Sequence, residues 1–245
     1  MRSPSTSPRA VVVLAATMVT AFGVPACGGS GSSDSAARHT TAVEAPRPLP
    51  TITDSPLSAG RPYVSRQFRP GLTFTLPDGA WVGQDARDGL TMRLLPNAPI
   101  HQGILSINRI RKVFDPRRGG RTVADAVSAP ADFATWLEHH PRLAASKPVP
   151  VTFHGLHGVQ VDVTPKSFPH RHPAECDRSE QLCTPVWFAG SEGVVYPKNT
   201  KTRFLVLDDH GRQLVVEAFA DPADAFPTVW PVLSDALKTV RLPAR

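Results

Sequence analysis

Two apolar runs near the C-terminus, residues 203–207 and 213–220, are closed by Asp208-Asp209-His210-Gly211, and this constrains the fold more than any other stretch. Short strands joined by an Asp/Gly turn pair with each other first, so an antiparallel sheet is required here. Residues 149–153 and 159–163, joined through His154-Gly155-Leu156-His157-Gly158, repeat the arrangement. Residues 72–76 (LTFTL) alternate and stop at the turn signal Pro77-Asp78-Gly79, after which Trp81-Val82 packs back on the core. Residues 89–95 and 103–113 read as two longer strands. In the second, Ile104, Ser106, Asn108 and Ile110 share one face, and Leu105, Ile107, Arg109 and Arg111 the other.

Two segments switch to helical spacing. In 130–140, Phe133, Trp136 and Leu137 form one apolar face, Pro141 ends it, and Ser128 is a candidate cap. Just upstream, Thr122-Val123-Ala124-Asp125 resembles a capping box. In 224–238, Phe226, Val229, Trp230, Leu233 and Leu237 line one face, Pro227 suits the opening turn, and Val240 and Leu242 add a last short strand. There is no regular βαβ alternation and no glycine fingerprint for a nucleotide. The expected class is therefore α+β, a mainly antiparallel sheet with two principal helices packed on it.

The N-terminus is organised differently. Arg2 and Arg9 precede an uncharged apolar run, residues 10–24, which at about 15 residues is short of the ~20 needed to span a bilayer. Val24-Pro25-Ala26-Cys27 then resembles a bacterial lipobox. The expected layout is a lipoprotein signal peptide at 1–26, a Gly/Ser/Thr/Pro-rich disordered tether at 27–62 and a single α+β domain at 63–245. Cys27 is the expected lipidation site and the lipid bilayer the expected partner. That places the domain outside the cytoplasm, anchored to the cell membrane; ordinary secretion is the alternative.

The formal charge of +6 falls to +4 once Arg2 and Arg9 leave with the signal peptide. So small an excess, on an exported chain, does not point to nucleic acid. The basic residues do cluster: Arg109, Arg111, Lys112, Arg117, Arg118 and Arg121 lie close together with Asp115. This stretch reads either as a solvated strand end and loop or as a contact for phospholipid headgroups or anionic wall polymer. Beyond Cys27 only Cys176 and Cys183 remain, and in an oxidising compartment they most simply form one disulfide.

Three motifs carry a resemblance. Phe74-Thr75-Leu76-Pro77-Asp78-Gly79-Ala80-Trp81 is similar to the opening strand and turn of Mog1/PsbP-like domains. Gly155-Leu156-His157-Gly158-Val159-Gln160-Val161 resembles their glycine-punctuated strand start, and the closing hairpin and helix lead to Thr239-Val240-Arg241-Leu242 as theirs do. Over residues 68–243 the chain resembles exported lipoproteins of high-GC Gram-positive bacteria that carry such a domain. The resemblance implies a binding or assembly factor without catalysis. No cofactor is expected, and beside the bilayer the expected partner is an envelope protein or an anionic polymer. It transfers no functional residue.

Other chemistries have candidates. His170, His172, Cys176 and Cys183 are a potential zinc set, although their spacing matches no standard structural site and a disulfide would remove both thiolates. Ala189-Gly190-Ser191-Glu192-Gly193 echoes a nucleophile elbow, which would make Ser191 a hydrolase nucleophile with His210 and Asp209 as partners; turn chemistry explains the latter two equally well. His154 and His157 flank Gly155 as metal ligands or as turn residues. Trp81, Trp136, Trp187 and Trp230 either pack in the core or line a pocket between sheet and helices for a small apolar ligand.

Overall fold

The computed structural model describes residues 44–52, 54–69, 71–96, 102–117, 125–168, 182–190 and 192–243. The signal peptide, Cys27, most of the expected tether, Arg118, Arg121, the 122–124 part of the capping box, His170, His172, Cys176 and Ser191 lie outside the described residues. The described residues fall in one compact unit, Val43–Arg245.

Among the described residues sixteen strands and two helices follow in order. The first six are β1 (Arg47–Pro48), β2 (Ser55–Leu57), β3 (Pro62–Val64), β4 (Thr73–Thr75), β5 (Trp81–Ala86) and β6 (Gly89–Leu94). Then come β7 (Gln102–Asn108), β8 (Lys112–Phe114), β9 (Ala126–Ser128), α1 (Phe133–Glu138), β10 (Leu143–Ala145), β11 (Val149–Phe153) and β12 (Leu156–Pro165). The chain ends with β13 (Cys183–Ala189), β14 (Glu192–Pro197), β15 (Lys201–Asp208), β16 (Gln213–Asp221), a 3-10 turn at Ala223–Ala225 and α2 (Phe226–Thr239). The class is α+β and mostly antiparallel, as the hairpin pattern predicts; β1–β3 is a parallel exception.

One large sheet, ordered β10-β12-β15-β16-β7-β6-β5-β2 with β11 also on β12, forms the centre. Its central strand β16 is buried along its length because both faces are covered. Leu214, Val216, Ala218 and Ala220 face α2, and Val215 and Phe219 face α1. Leaving β15 for β16 requires only a two-residue turn. Asp209 and Arg212 exchange backbone hydrogen bonds of 2.8 and 3.2 Å, and His210 and Gly211 between them both have positive φ. That is the geometry whose twist matches a hairpin. His154 and Gly155 turn β11 into β12 with the same pair of positive φ values. Of the histidines that sequence spacing offers as metal ligands or catalytic partners, His154 and His210 are thus hairpin-turn residues, and His157 lies in β12 opposite Thr152.

α2 lies across the sheet on Val229, Leu233, Ala236 and Leu237. It comes so close to β7 that a Cβ on Gly103 would stand 2.6 Å from Val229 Cγ1. Arg203 helps dock the start of the helix, forking onto Asp162 at 2.7 and 2.9 Å while its guanidinium lies 4.6 Å from the Trp230 ring. Pro231 sits inside α2 on its exposed side. On the opposite face α1 packs with a small sheet, β14-β13-β8-β9. No helix among the described residues is long and apolar enough to cross a membrane.

Three expectations are corrected. Structure begins well before residue 63: Leu49 is only 3% exposed, Leu57 is buried, and β2 adds to the edge of the large sheet beside β5. The Pro-rich composition of 44–62 hides this, because only two leucines, Leu49 and Leu57, seat the segment on the core while Ile52 stays exposed. The expected strand 103–113 is two strands. The chain leaves the large sheet at Arg109, buries Ile110 on the α1 side, and joins the small sheet as β8. Finally, the cap of α1 is Asp132, not Ser128, which lies in β9. The Asp132 carboxylate accepts from the Thr135 N–H and hydroxyl at 2.9 and 2.7 Å.

Candidate functional site: an arginine cleft

At the end of the large sheet where β5 turns into β6, β7 leaves, and β15 turns into β16, four stretches of chain meet the lead-in to α1. They enclose a cleft of about 660 Å³. Its lining holds five arginines, Arg69, Arg87, Arg109, Arg111 and Arg212, with Ile110, Ala129, Pro130 and Ala131 supplying an apolar part.

Each arginine is placed by a separate device. Arg69 follows a loop wound around the buried carboxylate of Asp85. That carboxylate accepts from the Ser65 hydroxyl at 2.6 Å and from the N–H groups of Arg66, Gln67 and Phe68 at 2.7, 2.9 and 3.3 Å. Arg87 is in the two-residue turn between Ala86 and Gly89. The turn's other residue, Asp88, accepts the Arg109 N–H through its carbonyl at 2.8 Å. Arg212 is set by the β15–β16 turn. Gln213 beside it donates to the carbonyl of Ala131, tying that hairpin to the start of α1.

Two of the five are neutralised. Arg109 has 14% of its side chain exposed and pairs with Asp209, itself 4% exposed; it also donates to the carbonyls of Arg212 and Gln213 at 3.4 and 2.9 Å. Arg111 meets Asp88 at 3.1 Å through Nε. Among the described residues no carboxylate pairs with Arg69, Arg87 or Arg212, all exposed. The cleft therefore holds two ion-paired arginines, the largely buried Arg109 and the exposed Arg111, and three surplus guanidiniums. Such a charge concentration attracts anions, and guanidinium forks bind oxyanions bidentately.

The described part of the basic stretch does not act as one unit. Arg109 and Arg111 enter the cleft, Lys112 projects from β8, and Arg117 lines a different hollow with Trp136, His139, His140 and Pro141. Arg69, Arg87 and Arg212 are missed by sequence reading because each is isolated along the chain. The turn signal just before Arg212 was visible, but nothing local shows that this turn meets the other two segments.

The remaining candidates disperse. Trp81 and Trp230 pack on the α2 side and Trp136 and Trp187 on the α1 side, so the four tryptophans share no pocket wall. Around Ser191 the chain forms the β13–β14 hairpin, with Ala189 opposite Glu192, so a strand stands where a nucleophile elbow needs a helix. Asp209 is engaged by Arg109. Cys183 is buried and its sulfur is not a free thiol. Among the described residues no three His, Cys, Asp or Glu side chains group as metal ligands.

A second polar cluster is internal. Glu217 accepts from the Tyr196 hydroxyl at 2.6 Å and the Ser106 hydroxyl at 2.9 Å. Trp187 donates to Tyr196 and Asn108 to Ser106. Burial pushes the Glu217 carboxyl up, partly offset by those two hydroxyls, and burial beside Glu217 pushes the Tyr196 phenol well up. His140, buried edge-on against Trp136, is held down to about 4 by burial and by the charges of Arg142 and Lys166.

No protein-family model and no curated protein matches the chain. Among solved structures it is similar to PA94, a Pseudomonas aeruginosa protein of unknown function. That match has 15% identity and a TM-score of 0.35, and covers 76% of this chain and 99% of that one. It is also similar to LpqN of Mycobacterium tuberculosis, described as involved in cell envelope biogenesis. Here identity is 14% and the TM-score 0.27, covering 78% of this chain and 91% of that one. Likeness at this level assigns no function.

Proposed function

We propose that the chain is an envelope lipoprotein, held at the membrane by acylated Cys27, whose Mog1/PsbP-like domain is a non-catalytic binding module for an anionic envelope component. The single observation that carries the binding role is the cleft with three unneutralised arginines. The lipobox-like Val24-Pro25-Ala26-Cys27 supports the anchor, and export supports a Cys176–Cys183 disulfide. The proposed tether from Cys27 to β1 would be about 20 residues long, and a flexible chain of that length has a root-mean-square reach of roughly 25 Å. The cleft then works within the envelope layer next to the bilayer.

The test expresses the full-length chain with Cys27→Ser in a bacterial host. It is expected to lose metabolic palmitate label and appear in the soluble fraction. Added back to envelope preparations, it is expected to rebind, and to be released as salt shortens the Debye length to about 4 Å near 0.5 M. Label that survives Cys27→Ser overturns the anchor, and rebinding indifferent to both salt and Arg87→Ala/Arg212→Ala overturns the binding role.

A further inference from the structure

We infer that the arginine cleft is a site for a phosphate ester, with the phosphoryl group held between Arg87 and Arg212 and the organic part lying along Ile110, Ala129, Pro130 and Ala131. This rests on the reading of the domain as an anion-binding module and names the ligand's chemistry.

Three features select phosphoryl over other anions. A carboxylate is planar and is satisfied by one guanidinium fork, whereas a tetrahedral phosphoryl group presents three or four oxygens and can accept forks from several directions. The cleft supplies uncommitted guanidiniums from three separate chain segments, the 65–69 loop, the β5–β6 turn and the β15–β16 turn. Its charge also fits. With Asp88 and Asp209 facing Arg111 and Arg109, three positive charges remain, enough for a phosphomonoester of about −2 or for neighbouring phosphodiesters.

The third feature is size. At about 660 Å³ the cleft is far larger than one phosphate needs and falls within the range of sites for small organic ligands. Its apolar lining gives a sugar, glycerol or similar body a surface to cover, so an ester is favoured over the inorganic ion. Arg109 has a different task. Its guanidinium is spent on Asp209 and on two carbonyls of the β15–β16 hairpin, so it acts as a positioning residue that aims Arg212 into the cleft.

The same phosphoryl chemistry occurs in phospholipid headgroups and in soluble or polymeric phosphate esters, and separate arms distinguish them. The mature Cys27→Ser chain is titrated calorimetrically with glycerol 3-phosphate, inorganic phosphate and a dicarboxylate of equal charge. Vesicles of phosphatidylglycerol in phosphatidylcholine are tested by flotation. Glycerol 3-phosphate is expected to bind at least about tenfold more tightly than the dicarboxylate, through bidentate forks the latter cannot all satisfy. Arg87→Ala and Arg212→Ala are each expected to weaken it about tenfold, and Arg212→Lys to restore little, because lysine offers a point charge without the fork.

Flotation with the vesicles, abolished by the same substitutions, assigns the phosphoryl source to lipid headgroups. Ester binding without flotation assigns it to a soluble or polymeric ester; both results support the site. Equal binding of dicarboxylate and phosphate ester, or ester binding unchanged in Arg87→Ala/Arg212→Ala, overturns the phosphoryl site while leaving an anion-binding module standing. No binding to any of these anions, with no salt-sensitive rebinding to envelope, overturns both. Because Arg87 and Arg212 are exposed, an unchanged melting temperature confirms that a loss of binding is local.

Discussion

The two faces of the large sheet are built on different chemistry. Beneath α2 the sheet presents Leu105, Ile107, Leu214, Val216, Ala218 and Ala220, and the helix answers with Val229, Leu233, Ala236 and Leu237. On the α1 face the same strands, offset by one residue, set Ser106, Asn108 and Glu217 among the apolar Val215 and Phe219 and link them by hydrogen bonds to Tyr196 and Trp187. A period of two makes this possible: one strand supplies an apolar floor to one layer and a hydrogen-bonded network to the other. Close packing on the α2 side fixes the fold tightly. On the α1 side polar groups must find particular partners, and there the chain is led out of the sheet toward the cleft.

The sharpest way to break the α2 side is a cavity. Leu233 is fully buried against β7, and Leu233→Ala is expected to cost about 4 kcal/mol, read from the urea midpoint at unchanged slope. A cost below about 1 kcal/mol would mean that the helix is not the stabilising cover described.

On the α1 side the largest effect is set by pH. His140 is neutral when folded down to about 4, against 6.5 when unfolded. Between those values the unfolded chain binds the extra proton, so stability rises with pH across the window and is lost as pH falls. The loss by pH 4 is expected to approach about 3 kcal/mol. His140→Asn, whose side-chain oxygen replaces the ring nitrogen as acceptor for the Arg142 N–H, is expected to abolish that slope. A ring that titrates near 6.5 by NMR in the native protein would refute the assignment.

Glu217 works in the opposite direction. Its raised folded pKa means folding favours the protonated acid. Its stabilisation is complete below the unfolded value of 4.5 and fades as pH rises through the folded one. Glu217→Ala strands the Tyr196 and Ser106 hydroxyls and is expected to cost about 2 kcal/mol at low pH. Glu217→Gln is expected to retain most stability while removing this falling slope. If both substitutions cost the same, the network is packing alone.

What the sequence revealed follows the same division. The hairpins β11–β12 and β15–β16 and the helix α2 were legible because their signals are local: alternation, a His-Gly pair taking positive φ, and apolar residues at helical spacing. The small sheet was harder. β8 is only Lys112–Phe114 and runs on from β7 in sequence, so the break at Arg109 leaves no composition mark. Leu49 and Leu57 were hidden among prolines. The cleft was legible only in part, through Arg109 and Arg111. Arg69, Arg87 and Arg212 become neighbours only when three turns close at one end of the sheet, and tertiary pairing, not local pattern, brings those turns together.

The smallest expected effects sharpen the comparison furthest, because they separate stability from binding at adjoining positions. Asp132→Ala removes the carboxylate that accepts from Thr135 at the start of α1 and is expected to cost about 1 kcal/mol. Beside it, Arg87→Ala and Arg212→Ala remove exposed side chains with no carboxylate partner among the described residues, and each is expected to change stability by less than about 0.5 kcal/mol. Arg109 lies between these cases: Arg109→Ala leaves the buried Asp209 carboxylate without its cation and is expected to lower stability by about 2 kcal/mol as well as binding. If Arg87→Ala or Arg212→Ala destabilised the fold as much as Arg109→Ala does, those arginines would belong to the structure. Their convergence on the cleft would then be a by-product of packing.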